Sequence, residues 1–161
     1  MNMKGKVLLV AVFAVTVAAM IFLFSASTTS AQDRNLPPIY GSVTLRAGFV
    51  PDPVVTEVVA GGPIHTSRGG VPAYVSNAPA FRVRYVAGNV PVPLTFHVES
   101  AAATTLLINL PDGTWLAASA ASAGMNPMIR LAGPKSGRYD IWVGTVEPAT
   151  APAVLYVTQR R

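Results

Sequence analysis

The chain has 161 residues, a formal net charge of +5, no cysteine and only 12% charged residues. That length holds one ordinary domain once a targeting segment is set aside, and the lack of cysteine excludes thiol catalysis, Cys-ligated zinc and iron–sulfur clusters. Gly (13) and Pro (14) are spread along the chain, which suits many short strands joined by turns and excludes an architecture of long helices.

The first element is a leader. Met1 to Lys6 is a short basic start, Val7 to Phe24 is apolar except for Thr16, and small or polar residues follow through Thr29-Ser30-Ala31. This is the order of a secretory signal helix, with cleavage expected after Ala31. The same run, residues 7–24, is long enough to span a bilayer, so the alternative is an uncleaved inner-membrane anchor. In both cases the rest of the chain is translocated, to the periplasm or the medium. Residues 1–31 are thus read as signal peptide, 32–39 as a polar linker and 40–161 as the exported domain. Without Lys4 and Lys6 the charge of that remainder falls to +3.

Strands follow in short pieces. Tyr40 to Arg46 places Val43 and Leu45 on one face, and Val54 to Val59 is a second strand, ended by Gly61-Gly62-Pro63. The stretch His65 to Pro79 is loop-rich, with a short strand at Ala73 to Ser76. Phe81, Val83 and Tyr85 alternate with Arg82 and Arg84, and Leu94, Phe96 and Val98 with Thr95, His97 and Glu99. That period of two marks strands with one buried face and one wet face. Thr104 to Leu110 is a more fully apolar strand stopped by the turn Pro111-Asp112-Gly113, and Trp115 opens the next. Ala117 to Ala123 is read as a loop. Tyr139, Ile141 and Val143 alternate with Asp140 and Trp142, and Val154 to Thr158 closes the chain. The sum, about eight short strands with frequent turns, predicts an all-β fold: a single antiparallel β-sandwich.

Chemistry-bearing constellations are thin. The basic residues are scattered, with no run longer than two, so no nucleic-acid stripe is expected. His65 and His97 have neither a nucleophile elbow nor a zinc-like spacing around them. The seven acidic residues give no evident carboxylate pair for glycoside hydrolysis, and Gly61-Gly62 and Gly69-Gly70 precede no helix that would cradle phosphate. Asn109, Asp112 and Asp140 form only a sparse oxygen set for calcium. The expectation is therefore no catalytic residue, no metal and no cofactor. The aromatics carry more information. Trp142, out of phase with Tyr139, Ile141 and Val143, is a candidate outward residue that stacks on a sugar or anchors a protein; packing against a covered second face is the alternative. Trp142, Trp115, Asp112, Asp140 and Tyr139 are the candidate ligand-binding residues.

From Tyr40 onward the chain resembles small secreted bacterial proteins related to the pre-peptidase C-terminal domain. The resemblance is carried by PPIYGSVTLRAGFVPDP (Pro37 to Pro53), AYVSNAPAFRVRYVAG (Ala73 to Gly88), TTLLINLPDGTWLA (Thr104 to Ala117) and MNPMIRLAGPKSGRYDIWVG (Met125 to Gly144). It implies a jelly-roll-like sandwich without protease machinery, found free or attached to secreted enzymes. Relatives follow the PDGxW turn with a cysteine and a run of aspartates; here Ala117 to Ala123 carries none of them, and the other family cysteine, expected before Tyr74, is replaced by Val71-Pro72-Ala73. The resemblance thus supports the fold and withholds the family's disulfide and acidic ligand site. The functional expectation is an exported, non-catalytic binding or accessory module of the envelope, with a protein or glycan partner and membrane contact only through an uncleaved leader. A self-associating structural component is the alternative, and a secreted hydrolase is the weakest reading.

Overall fold

The computed structural model describes residues 32–120 and 125–160. The leader, and residues 121–123 of the Ala/Ser-rich stretch, lie outside them. Among the described residues eleven strands form: β1 (Ser42–Arg46), β2 (Val54–Ala60), β3 (Ile64–Thr66), β4 (Ala73–Val75), β5 (Phe81–Val86), β6 (Leu94–Glu99), β7 (Thr104–Asn109), β8 (Trp115–Ser119), β9 (Met128–Leu131), β10 (Gly137–Thr145) and β11 (Ala151–Thr158). They pair into a seven-stranded sheet and a four-stranded sheet of order β2-β11-β6-β9. In the larger sheet β10 is the axis: β5 and then β4 share one of its edges and β7 the other, with β1 beyond β5, β3 beyond β4 and β8 beyond β7.

The sandwich is as read from the sequence, with local differences. The β1–β5 pair is parallel, with Ser42 opposite Arg82, while every other pair is antiparallel. Strands β3 and β9 were not expected, being three and four residues long. Ala117–Ser119 is not loop but the second half of β8, held opposite β7 from Ala117↔Leu107 to Ser119↔Thr105.

Between the sheets lies the main core. Phe81, Val83, Tyr85, Tyr139, Ile141 and Val143 come from the larger sheet, and Leu94, Phe96, Val98, Leu155 and Val157 from the smaller one. All are at most 5% exposed, and each such side chain contributes about 1.5–3 kcal/mol of apolar burial. Tyr139 is the centrepiece, edge-on to Tyr85 at 6.5 Å and tilted against Phe96 at 5.9 Å.

The two outer faces differ, and that difference positions the site. On the larger sheet the outer face is covered twice. The β3–β4 excursion, with its 3₁₀ turn at Arg68–Gly70, doubles back over it and creates a second cluster of Ile64, Ala73, Val75, Leu107 and Trp142. Gly69 sits at φ +72°, and a Cβ there would lie 2.7 Å from the Ala117 Cβ, so only glycine lets this turn close on β8. The second cover is the segment expected as a linker, 32–39. It runs as a strap instead: Asp33 N–H bonds to Asn77 C=O at 2.9 Å and Ile39 N–H to Pro79 C=O at 2.9 Å, and the Arg82 guanidinium donates to the carbonyls of Arg34 and Leu36 at 2.7 and 3.1 Å.

On the smaller sheet no segment among the described residues covers the outer face. Strand β11 runs between β2 and β6 yet contains Pro152, opposite Val59 of β2. Its missing N–H costs no ladder bond because pairing with β6 begins at Val154↔Glu99. Beyond that point the Pro152 carbonyl accepts from Ser100 Oγ at 2.8 Å. Proline is tolerated inside a sheet only at such places.

Candidate functional site

The sequence-derived candidates divide into three places. Trp142 does lie opposite Tyr139 and Ile141 but does not reach solvent: it is 0% exposed, packed in the second cluster with its Nε1 3.4 Å from Asn77 C=O. The reading of Trp142 as an exposed anchor is therefore corrected, because the β3–β4 excursion roofs that face. Trp115 flanks it at 5.1 Å between centroids and is half-buried, with the Arg68 guanidinium 5.0 Å from its ring. Asp140, 1% exposed, sits in the same sheet face under the strap. It takes Arg82 Nε at 2.5 Å on Oδ1 and has Arg138 Nε at 2.8 Å from Oδ2, while Asn109 receives Arg34. Oδ1 bonds the Arg82 that grips the strap carbonyls, while Oδ2 is in ion-pair contact with Arg138 but makes no hydrogen bond among the described residues; the arginines fasten the strap and hold no ligand there.

Asp112 and Tyr139 meet elsewhere, around a small cleft of about 90 Å³ with Lys135. Asp112 caps its own turn through the Thr114 N–H at 3.0 Å and pairs with Lys135 at 3.1 Å. These bonds, the Thr114 ones foremost, lower its carboxyl to about 2. Burial pushes the Tyr139 hydroxyl up to about 12, and its proton is donated to the Lys135 carbonyl at 2.7 Å. So Asp112 with Tyr139, and Trp115 with Trp142, are brought together, but the five residues do not form one site. Among the described residues, no group of three or more His, Cys, Asp or Glu is arranged to hold a metal.

The surface that stands free is the outer face of the four-stranded sheet. Register fixes its grid. One row is Val59–Pro152, the next Glu57–Val154–Glu99, and the next Val55–Tyr156–His97–Met128. Val55, Val59 and Met128 are 51%, 50% and 57% exposed, which places three large apolar side chains in water on one face. The first two rows frame a groove of about 550 Å³ that runs from Tyr40 across Val59, Pro152 and Val154 to Glu99, with Glu57 on its wall. Tyr40, at the end of the strap, closes one side by accepting the Val59 N–H at 3.0 Å. Since Val59 points that N–H away from β11, Val55 and Glu57 direct theirs to the same open edge of β2.

The electrostatics of this face are equally specific. His97 stacks on Tyr156 at 4.5 Å with planes 2° apart. The Tyr156 hydroxyl donates to Glu99 Oε2 at 3.0 Å, and this bond to the carboxylate raises the phenol above its ordinary value. Glu99 is 3.8 Å from His97 and otherwise unpaired, and Glu57 has no ion pair among the described residues. Asp112 is matched by Lys135 and the less exposed Asp52 by Arg160, whereas exposed Glu147, like Glu57, has no ion pair among the described residues. Sequence alternation marked His97 and Glu99 as wet, but only the pairing of β2 and β6 with β11 sets Glu57 and Glu99 on either side of Val154.

No protein-family model matches the chain, and no curated protein matches it. Among solved structures it is similar to the pre-peptidase C-terminal domain of a collagenase from Bacillus anthracis, at 14% identity over 78% of this chain and 100% of that one, with a TM-score of 0.46. It is also similar to PliG of Aeromonas hydrophila, a periplasmic lysozyme inhibitor of g-type lysozyme, at 14% identity over 73% of this chain and 96% of that one, with a TM-score of 0.37.

Proposed function

We propose that the chain is an exported, non-catalytic binding module of the cell envelope, periplasmic or secreted, that meets a protein or glycan with the outer face of its four-stranded sheet. The observation that carries this reading is the contrast between the two outer faces. One is roofed by the β3–β4 excursion and the strap; the other leaves Val55, Val59 and Met128 in water beside a groove of about 550 Å³. Apolar side chains grouped on one exposed face mark interaction surfaces, and the leader supplies the route out of the cytoplasm.

The test is photo-crosslinking in living cells from Val59, with Arg84, on the exposed wet side of β5, as the control position. A partner captured from Val59 and not from Arg84 is the expected result; equal capture from both, or none, refutes the assignment.

Self-association is favoured by a different observation, the open edge of β2 with its strand-forming sequence VVTEVVA. An antiparallel pair of two such edges centred on Glu57 would set the two carboxylates directly opposite each other, which opposes pairing. The binding reading is therefore preferred.

A further inference from the structure

Resting on that reading, we infer that the groove recognises a basic protein surface, with a lysine or arginine side chain laid across Val154 and its charged head held between Glu57 and Glu99. The geometry is set by the sheet. Glu57 and Glu99 are both paired with Val154, from opposite sides, so their backbones are two strand spacings apart, about 9–10 Å. Two flexible carboxylates at that separation reach inward to one ammonium or guanidinium, and among the described residues they meet no competing cation apart from His97 beside Glu99.

The floor suits the rest of such a side chain. Val59, Pro152 and Val154 line it, and the methylene stem of lysine or arginine covers apolar surface while its head stays hydrated. The charge of the molecule sharpens the argument. The residues after the leader carry +3, with all seven acidic residues among them, and Asp52, Asp112 and Asp140 are already matched by arginine or lysine. An acidic spot whose carboxylates are unmatched by any described lysine or arginine, in an apolar groove on a cationic molecule, is complementary to a cation and repels an anion.

A protein fits better than a free cation. Next to the groove lies the row Val55–Tyr156–His97–Met128, with Val55 and Met128 exposed at its two ends; a polyamine or single amino acid leaves those ends uncovered, whereas a protein buries them with the charge.

The experiment uses protein purified from cells that express the full chain, at concentrations where each variant sediments as a monomer. The probe is a fluorescein-labelled ten-residue peptide of alternating lysine and threonine, read by anisotropy. Binding is expected to weaken about three-fold in Glu57→Gln or Glu99→Gln and about ten-fold in the double variant, to fade with salt, and to be unchanged in Asp112→Asn. Equal affinity in wild type and Glu57→Gln/Glu99→Gln, equal affinity for a glutamate–threonine peptide, or spermine binding as tightly as the peptide overturns the inference. In-cell crosslinking from Val59 separates the two levels. Capture that persists in the double variant, or capture of a second copy of the chain, overturns the basic partner while leaving a binding face; no capture from Val59 removes both.

Discussion

Replacing Trp142 with alanine separates a packing role from a binding role. The side chain is 0% exposed, and its neighbours Ala73, Val75 and Leu107 are too. An indole buries roughly 200 Å², which at about 25 cal/mol per Å² corresponds to about 5 kcal/mol. The alanine methyl retains part of this, and the short β3–β4 excursion settles partway into the space. A loss of about 3 kcal/mol results, at the low end for removal of a buried tryptophan. For a domain of this size, with a urea slope of about 1.5 kcal/mol per M, the unfolding midpoint falls by about 2 M. The assay is urea denaturation followed in parallel by far-ultraviolet circular dichroism and by the fluorescence of Trp115, and coincident transitions license the two-state figure. The reasoning also requires that binding at the far sheet survive in the folded variant. A midpoint shift below about 0.5 M, or loss of lysine-peptide binding without loss of stability, would refute it.

Asp140→Asn leaves Arg82 buried beside a neutral partner; the expected cost is about 3 kcal/mol by thermal melting, with faster tryptic cleavage after Arg34 as the strap loosens. Gly69→Ala forces a side chain onto Ala117 at a left-handed φ and should cost about 1–3 kcal/mol, with a shift in Trp115 emission as the Arg68 turn lifts. The Tyr139 hydroxyl, raised to about 12 by burial, binds its proton more tightly folded than unfolded. Its contribution is complete below the ordinary phenol value of 10.0 and is lost as pH climbs toward 12; Tyr139→Phe should flatten the fall of stability over that window in alkaline melts. Glu57→Val removes the charge that guards the β2 edge, and sedimentation should then show dimers where the parent is monomeric.

Much of the sandwich was legible because period-two alternation is a local signal. The inward sets Phe81/Val83/Tyr85, Leu94/Phe96/Val98 and Tyr139/Ile141/Val143 all reach the main core. Alternation says which residues share a face, however, and not whether that face is roofed. Trp142 illustrates the gap: its orientation was readable, but its burial depends on an excursion some 70 positions earlier in the chain. The strap was unreadable for a similar reason, since a polar, proline-containing segment looks like a linker until Arg82 and Asn77 are placed beside it. The Glu57–Val154–Glu99 row lay hidden because it is assembled from three strands, and register between distant strands leaves little trace in any one of them.

Pro152 has a consequence for that row. A strand can in principle slide along its neighbour by two residues and keep the same side chains inside. Strand β11 is denied that freedom on one side: moving Pro152 two places inward along β6 would set a residue without an N–H in a rung that needs one. The ring acts as a stop at the end of a track. It holds Val154 opposite Glu99, so one proline outside the charged pair keeps that carboxylate beside Val154 while the side chains around it are free to change.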